Sequence, residues 1–158
     1  IKKSLLSFKG VERRFSFVGK VNGISIIDDY AHHPTEVKAT LKAAKSGWEH
    51  RVIAVFQPHL FTRTRDFYQD FAQAFQQSDI LIVTDIFPAR EKPIEGITAK
   101  IIADEAEKLG HEKIEFIADQ TEIPARLKEI SQPDDMIITM GAGNIWRQCE
   151  RIYEAIQN

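Results

Sequence analysis

The stretch Ile24-Ser25-Ile26-Ile27-Asp28-Asp29-Tyr30-Ala31-His32-His33-Pro34-Thr35-Glu36 changes character twice within a few residues. Its first four residues are β-branched or small and mostly apolar, which predicts a strand. After it, Val37, Leu41, Ala44 and Trp48 recur at helical spacing, and Pro34 suits the first helical position. Two acids, an aromatic ring and two imidazoles are thus concentrated in a strand-to-helix turn. In an open parallel sheet such turns lie at the carboxyl edge of the strands, where ligands bind. The alternative is that the acids cap the helix and the histidines are solvated, but capping needs one acid and explains neither imidazole.

Upstream, Phe8–Phe17 alternates near its end as a strand does, and Gly19 with Asn22-Gly23 offers a hairpin turn into Ile24–Ile27. Downstream, Arg51–Phe56, Ile80–Val83, Ile114–Ile117 and Met136–Met140 are further strand candidates. Helical patterns separate them: Phe67, Phe71, Ala74 and Phe75; Ile102, Ala106 and Leu109, with Thr98 as a cap and Gly110 as a stop; Ile123, Leu127 and Ile130; and finally Ile145, Cys149, Ile152 and Ile156. The order predicts an α/β domain of about six strands, one of them antiparallel, with helices on both faces. No repeat or internal linker divides the 158 residues, so one domain is expected.

Composition narrows the functional classes. Apolar residues are 43% and charged residues 28%, which is ordinary for a soluble globular domain. A net charge of −2 gives no basic field that would call for nucleic acid or an anionic membrane. No apolar run approaches the ~20 residues of a membrane span. The single Cys149 excludes an internal disulfide and suits a reducing cytoplasm; its helical apolar position points to packing. The start at Ile1, without methionine, leads us to expect a domain cut from a longer protein.

Three further loops leave the same edge. Gln57-Pro58-His59-Leu60-Phe61-Thr62-Arg63-Thr64-Arg65 precedes a helix, and cations there oppose the helix dipole unless an anion compensates. Arg90 and Glu91, in the proline-rich loop Ile86–Pro93, could pair with each other, and their role is open. Gly141-Ala142-Gly143 follows a strand but lacks the third glycine and downstream acid of a dinucleotide fingerprint, so a tight turn is the better reading. Zinc held by His32, His33, His59 and Asp29 is disfavoured, because adjacent histidines do not point the same way and no cysteine is near; no metal site is expected. Nor is there a Gly-x-x-x-x-Gly-Lys-Ser/Thr loop to cradle a triphosphate.

Taken together, Phe8-Lys9-Gly10-Val11-Glu12-Arg13-Arg14-Phe15, Asp28 to Glu36, Phe56-Gln57-Pro58-His59 with Thr62-Arg63-Thr64-Arg65, Asp85-Ile86-Phe87-Pro88-Ala89-Arg90-Glu91 and the closing Gly-Ala-Gly resemble the C-terminal domain of the Mur ligases. Within that family they are most similar to the branch that joins L-alanine to UDP-N-acetylmuramate. The resemblance implies a Rossmann-like third domain of a cytoplasmic, three-domain, ADP-forming ligase of peptidoglycan synthesis. The UDP-sugar domain and the central ATPase domain would lie outside residues 1–158, so the fragment alone would be inactive. In the family, ATP phosphorylates the muramate carboxylate and the L-alanine amine attacks the acyl phosphate. Mg2+ would be bound mainly outside this chain.

Residue by residue, the resemblance places Arg14 at the ATP phosphates, as the catalytic arginine, and Asp29 at the ribose. It places Tyr30, His32, His33, His59 and Arg63 at the L-alanine site. Leu60-Phe61 replaces the Arg-Tyr of many relatives, leaving Arg63 with less redundancy. The competing readings are a stand-alone nucleotide-binding module without catalysis and, more remotely, a nicotinamide dehydrogenase.

Overall fold

A computed structural model describes residues 13–158. The Ile1–Leu6 start and the Phe8–Glu12 part of the expected first strand lie outside the described residues. Six strands form one sheet in the order β1-β2-β6-β3-β4-β5: β1 (Ser16–Val21), β2 (Ile24–Asp29), β3 (Val52–Phe56), β4 (Ile80–Val83), β5 (Ile114–Phe116) and β6 (Met136–Met140). The β1–β2 hairpin is antiparallel and every other pairing is parallel. Among the described residues five α-helices connect or follow the strands: α1 (Pro34–Gly47), α2 (Phe61–Ala74), α3 (Lys100–Lys108), α4 (Ile123–Ile130) and α5 (Gln148–Gln157).

Strand periodicity divides the core into two layers. Val52, Ala54 and Phe56 of β3, with Met136, Ile138 and Met140 of β6, face α1, α2 and α3. Ile53, Val55 and Ile137 face the other way, against Ile123 and Leu127 of α4 and Cys149, Ile152 and Ile156 of α5. A strand covered on both faces must be apolar at every position, which is why β3 and β4 read as unbroken apolar runs. The expected mostly parallel sheet with one antiparallel strand and two helical layers is what forms.

Local details depart from expectation at three places. Gly19 is not in the turn; it sits in β1 where the register slips between Phe17 and Gly19, packed against Tyr153. Asn22 and Gly23 alone make the turn, both at positive φ. Helix α3 starts after Ala99, and Thr98 contributes only its backbone carbonyl, to the N–H of Ile101. Helix α2 begins at Phe61, so Arg63 and Arg65 belong to its first turns rather than to a loop.

Asp29, Met140 and Phe56 are in register across β2, β6 and β3, and Val83 of β4 aligns with Phe56. Four strands therefore finish level, and their following loops emerge side by side at one edge.

Candidate active site

Successive residues of a strand face opposite sides of the sheet, so Asp28 and Asp29 part company at the end of β2. Asp28 is buried on the α5 side, where Oδ1 accepts from the Thr139 hydroxyl at 2.8 Å. Its Oδ2 accepts from Arg13 Nε at 2.8 Å, while Arg13 Nη2 donates to the Gly141 carbonyl at 2.7 Å. The Arg13 guanidinium also lies 5.1 Å from the Tyr30 ring centroid. Arg13 thus joins three segments, and the neighbouring Arg14 is left exposed.

Asp29 faces the α1 side and is buried, with Oδ2 accepting the Phe15 N–H and Oδ1 the Ala31 N–H, each at 2.7 Å. Burial pushes its carboxyl above the ordinary carboxylate value, and those two hydrogen bonds oppose the rise. It forms part of a groove of about 360 Å³ lined also by Arg14, Phe15, Tyr30, Thr40 and Ala43. Each carboxylate oxygen can accept two hydrogen bonds, so Asp29 retains acceptor capacity toward this groove.

The imidazoles separate as well. His33 is the N-cap of α1: its Nδ1 accepts from the Thr35 N–H, and the Glu36 carboxylate reaches back to the His33 N–H at 3.1 Å. The acids Asp28 and Asp29 do not cap this helix. The His33 ring packs against Phe67, 5.1 Å between centroids, away from His32. His32 instead joins a row of rings along the edge: Tyr30 to His32 at 5.0 Å, His32 to His59 at 6.0 Å, His59 stacked on Phe87 at 5.7 Å. His32 Nδ1 lies 2.9 Å from the Tyr30 carbonyl, which can only accept; the proton belongs on Nδ1, and Nε2 is bare in the neutral ring.

The β3 loop supplies the cation. Gln57 to Leu60 carry the chain from β3 into α2, and Leu60 adopts φ 73, uncommon for a branched residue. Arg63 Nη1 and His59 Nδ1 are both buried without a hydrogen-bond partner among the described residues. Burial, then the nearby Arg63 and His32 charges, pull His59 below the ordinary imidazole value, which keeps it neutral. Arg65 lies on the surface and pairs with Asp66, outside this cluster. The Glu91 carboxylate takes both the N–H and the hydroxyl of Thr62. No local signal announces that pairing, because the partners are 29 residues apart.

The Gly141-Ala142-Gly143 loop is filled by protein. A Cβ on Gly141 would stand 2.7 Å from the Gln57 carbonyl oxygen, and one on Gly143 would collide with Gln57 Oε1 and stand 2.6 Å from the Phe87 ring. Gln57 Oε1 accepts the N–H groups of Asn144 and Ile145, at 2.9 and 3.1 Å. The glycines admit a side chain of the neighbouring loop, as a tight turn between β6 and α5 requires.

The site therefore groups Arg14 with Asp29, and Tyr30 with His32, His59 and Arg63, on one edge of a doubly covered sheet. Residues 13–143 match the family described as Mur ligase, glutamate ligase domain. The chain belongs to the Mur ligase C-terminal domain family. This Mur ligase domain is 46% identical over its whole length to the UDP-N-acetylmuramate–L-alanine ligase of Salinibacter ruber, of which it covers 34%. It is 49% identical over 92% of its length to the enzyme of the same name from Pelotomaculum thermopropionicum, of which it covers 32%. The crystal structure of the Thermotoga maritima UDP-N-acetylmuramate–alanine ligase superposes on 98% of it with a TM-score of 0.75 and 29% identity, and is covered to 32%. The chain thus spans about a third of the length of the curated relatives it matches. The family read from the motifs is borne out.

Proposed function

We propose that this chain is the third domain of an ADP-forming ligase that joins L-alanine to UDP-N-acetylmuramate for peptidoglycan synthesis in the cytoplasm. The UDP-sugar domain and central ATPase domain complete the enzyme, and the domain described here closes onto the latter. In the reaction, ATP activates the muramate carboxylate as an acyl phosphate, and the L-alanine amine displaces phosphate to leave the amide. Mg2+ would supply charge neutralisation at the phosphates, held mainly by residues of the other domains.

Each residue has a chemical reason for its part. Arg14 is exposed at the rim of the Asp29 groove, where a guanidinium can offset charge that develops on phosphate oxygens. Asp29 has acceptor capacity left for ribose hydroxyls. Arg63 grips the amino-acid carboxylate, a task for which a planar guanidinium is suited. Neutral His59 donates a hydrogen bond beside it. Tyr30 and His32 close the same pocket. His33 caps α1 and takes no direct part.

The observation that carries this reading is the pair of unpartnered buried nitrogens, Arg63 Nη1 and His59 Nδ1. A buried guanidinium N–H group such as that of Arg63 costs stability unless something accepts from it, and a small carboxylate does. The test is amide formation by the full-length protein. Release of phosphate should require ATP, UDP-N-acetylmuramate and L-alanine together, and this domain alone should release none. Full activity with an amino acid that L-alanine cannot replace would contradict the substrate assignment.

A further inference from the structure

We propose that Glu91 is a positioning residue that sets the amino-acid site by holding the first turn of α2, an inference that rests on the ligase reading above. Helix α2 lacks the ordinary means of starting. Its N-cap is Leu60, whose side chain accepts nothing, and its first turn holds no acid but carries Arg63. A cation at that end of the helix is disfavoured by the macrodipole. Glu91 supplies from a distant loop what the local sequence omits. One carboxylate oxygen accepts the Thr62 N–H at 3.0 Å and the other accepts the Thr62 hydroxyl. A backbone donor and a side-chain donor of one residue are thereby fixed together, which sets the rotation of the turn carrying Arg63.

The Glu91 loop is itself tied to the site. Phe87 N–H donates to the Pro58 carbonyl at 2.8 Å, and Leu60 N–H donates to the Phe87 carbonyl at 3.0 Å. These bonds flank His59, whose ring stacks on Phe87. Glu91 N–H closes a turn on the Pro88 carbonyl at 2.9 Å. The β4 loop is thus a brace along the β3 loop, and Glu91 is its charged end. His59 and Arg63, whose Nδ1 and Nη1 are buried without a hydrogen-bond partner among the described residues, lie on either side of the braced Thr62. Glu91 hydrogen-bonds to neither; its charge is felt at His59, and its hold on Arg63 passes through the backbone of Thr62. The amino-acid carboxylate depends on how Arg63 is presented, and hence on Glu91.

The test is a substrate-by-substrate comparison in the full-length enzyme. Glu91→Ala should raise the apparent KM for L-alanine about tenfold, the scale of a lost charge-assisted hydrogen bond. kcat at saturating alanine, and the KM values for ATP and UDP-N-acetylmuramate, should stay within about twofold. Glu91→Gln keeps an acceptor for one of the two Thr62 donors and should recover part of the loss. In an Arg63→Ala background, Glu91→Ala should cost nothing further in alanine KM, because its effect is routed through Arg63. Where Glu91→Ala does not fold, Thr62→Val removes the hydroxyl bond alone and should raise the alanine KM about threefold. A loss spread evenly over the three substrates, or costs that multiply in the double variant, would overturn the proposal while leaving the ligase reading intact. A wild-type enzyme that is inactive with L-alanine would overturn the ligase reading and this proposal with it.

Discussion

Arg13 and Asp28 form an ion pair, Nε to Oδ2 at 2.8 Å, with the Asp28 side chain 7% exposed and the Arg13 side chain 23%. The same guanidinium holds the Gly141 carbonyl, so one side chain fastens the entry to β1, the end of β2 and the loop after β6. The adjacent Arg14 is free of these ties. Two arginines that look alike in sequence therefore do different things, one anchoring the edge of the sheet and the other facing solvent.

Removing the anchor should cost far more stability than removing its neighbour. Arg13→Met leaves a buried carboxylate with only the Thr139 hydroxyl among the described residues, and loss of one partner of such a pair costs about 3 kcal/mol. Arg14→Met at an exposed position should stay within about 0.5 kcal/mol. Urea unfolding of both variants checks the contrast, and equal losses would refute it.

The difference was not legible in the Arg-Arg pair, because its cause is the register of β1 against β2 and the position of Gly141. The strands were legible: β-branched runs buried on both faces leave little alternative in β3, β4 and β6. The concentration of polar and aromatic residues after β2 was legible too. What sequence concealed came from long-range pairings. The start of α2 was placed too late because its cap, Glu91, comes 29 residues after Thr62. His33 was grouped with His32 because adjacency in sequence hides that one ring turns to Phe67 and the other to His59.

Asp29 has two duties, and substitution should expose both. Asp29→Ala frees the Phe15 and Ala31 N–H groups, so it should lower stability by about 2 kcal/mol as well as raise the KM for ATP roughly tenfold. The ribose contact is isolated by 2′-deoxy-ATP. Wild-type full-length enzyme should prefer ATP over the deoxy nucleotide, and Asp29→Ala should lose that preference. A preference that survives the substitution would remove the ribose from Asp29.

Gly143→Ala places a methyl group against Gln57 Oε1 and the Phe87 ring. Overpacking of this kind costs about 1–3 kcal/mol. Because Gln57 and Phe87 border His59, the alanine KM of the full-length enzyme should rise as well. A thermal melt and alanine kinetics together check the effect, and an unperturbed variant would show that the loop yields freely.

Acid should destabilise the domain through His111. The ring is buried, with Nε2 3.0 Å from the Ser78 hydroxyl, and burial holds its pKa below the ordinary 6.5. The unfolded chain therefore takes up the proton first as pH falls. Stability contributed by the neutral ring is complete above about 6.5 and declines as pH drops through that value toward the lower folded pKa. The limiting slope from one histidine is about 1.4 kcal/mol per pH unit. His59 is shifted the same way and adds to the decline. His111→Gln should flatten the curve of unfolding free energy against pH below 6.5, and an unchanged slope would exclude His111 as a source.

The assignment of the amino-acid site to Arg63 is tested most directly by Arg63→Lys in the full-length enzyme, with each substrate varied in turn. Lysine keeps the charge but cannot hold both oxygens of a carboxylate in one plane. The KM for L-alanine should rise roughly ten- to a hundredfold, from the ~1.5–3 kcal/mol of a charged hydrogen bond, with ATP and UDP-N-acetylmuramate little affected. An unchanged alanine KM and kcat/KM, or a loss that falls mainly on ATP, would contradict it.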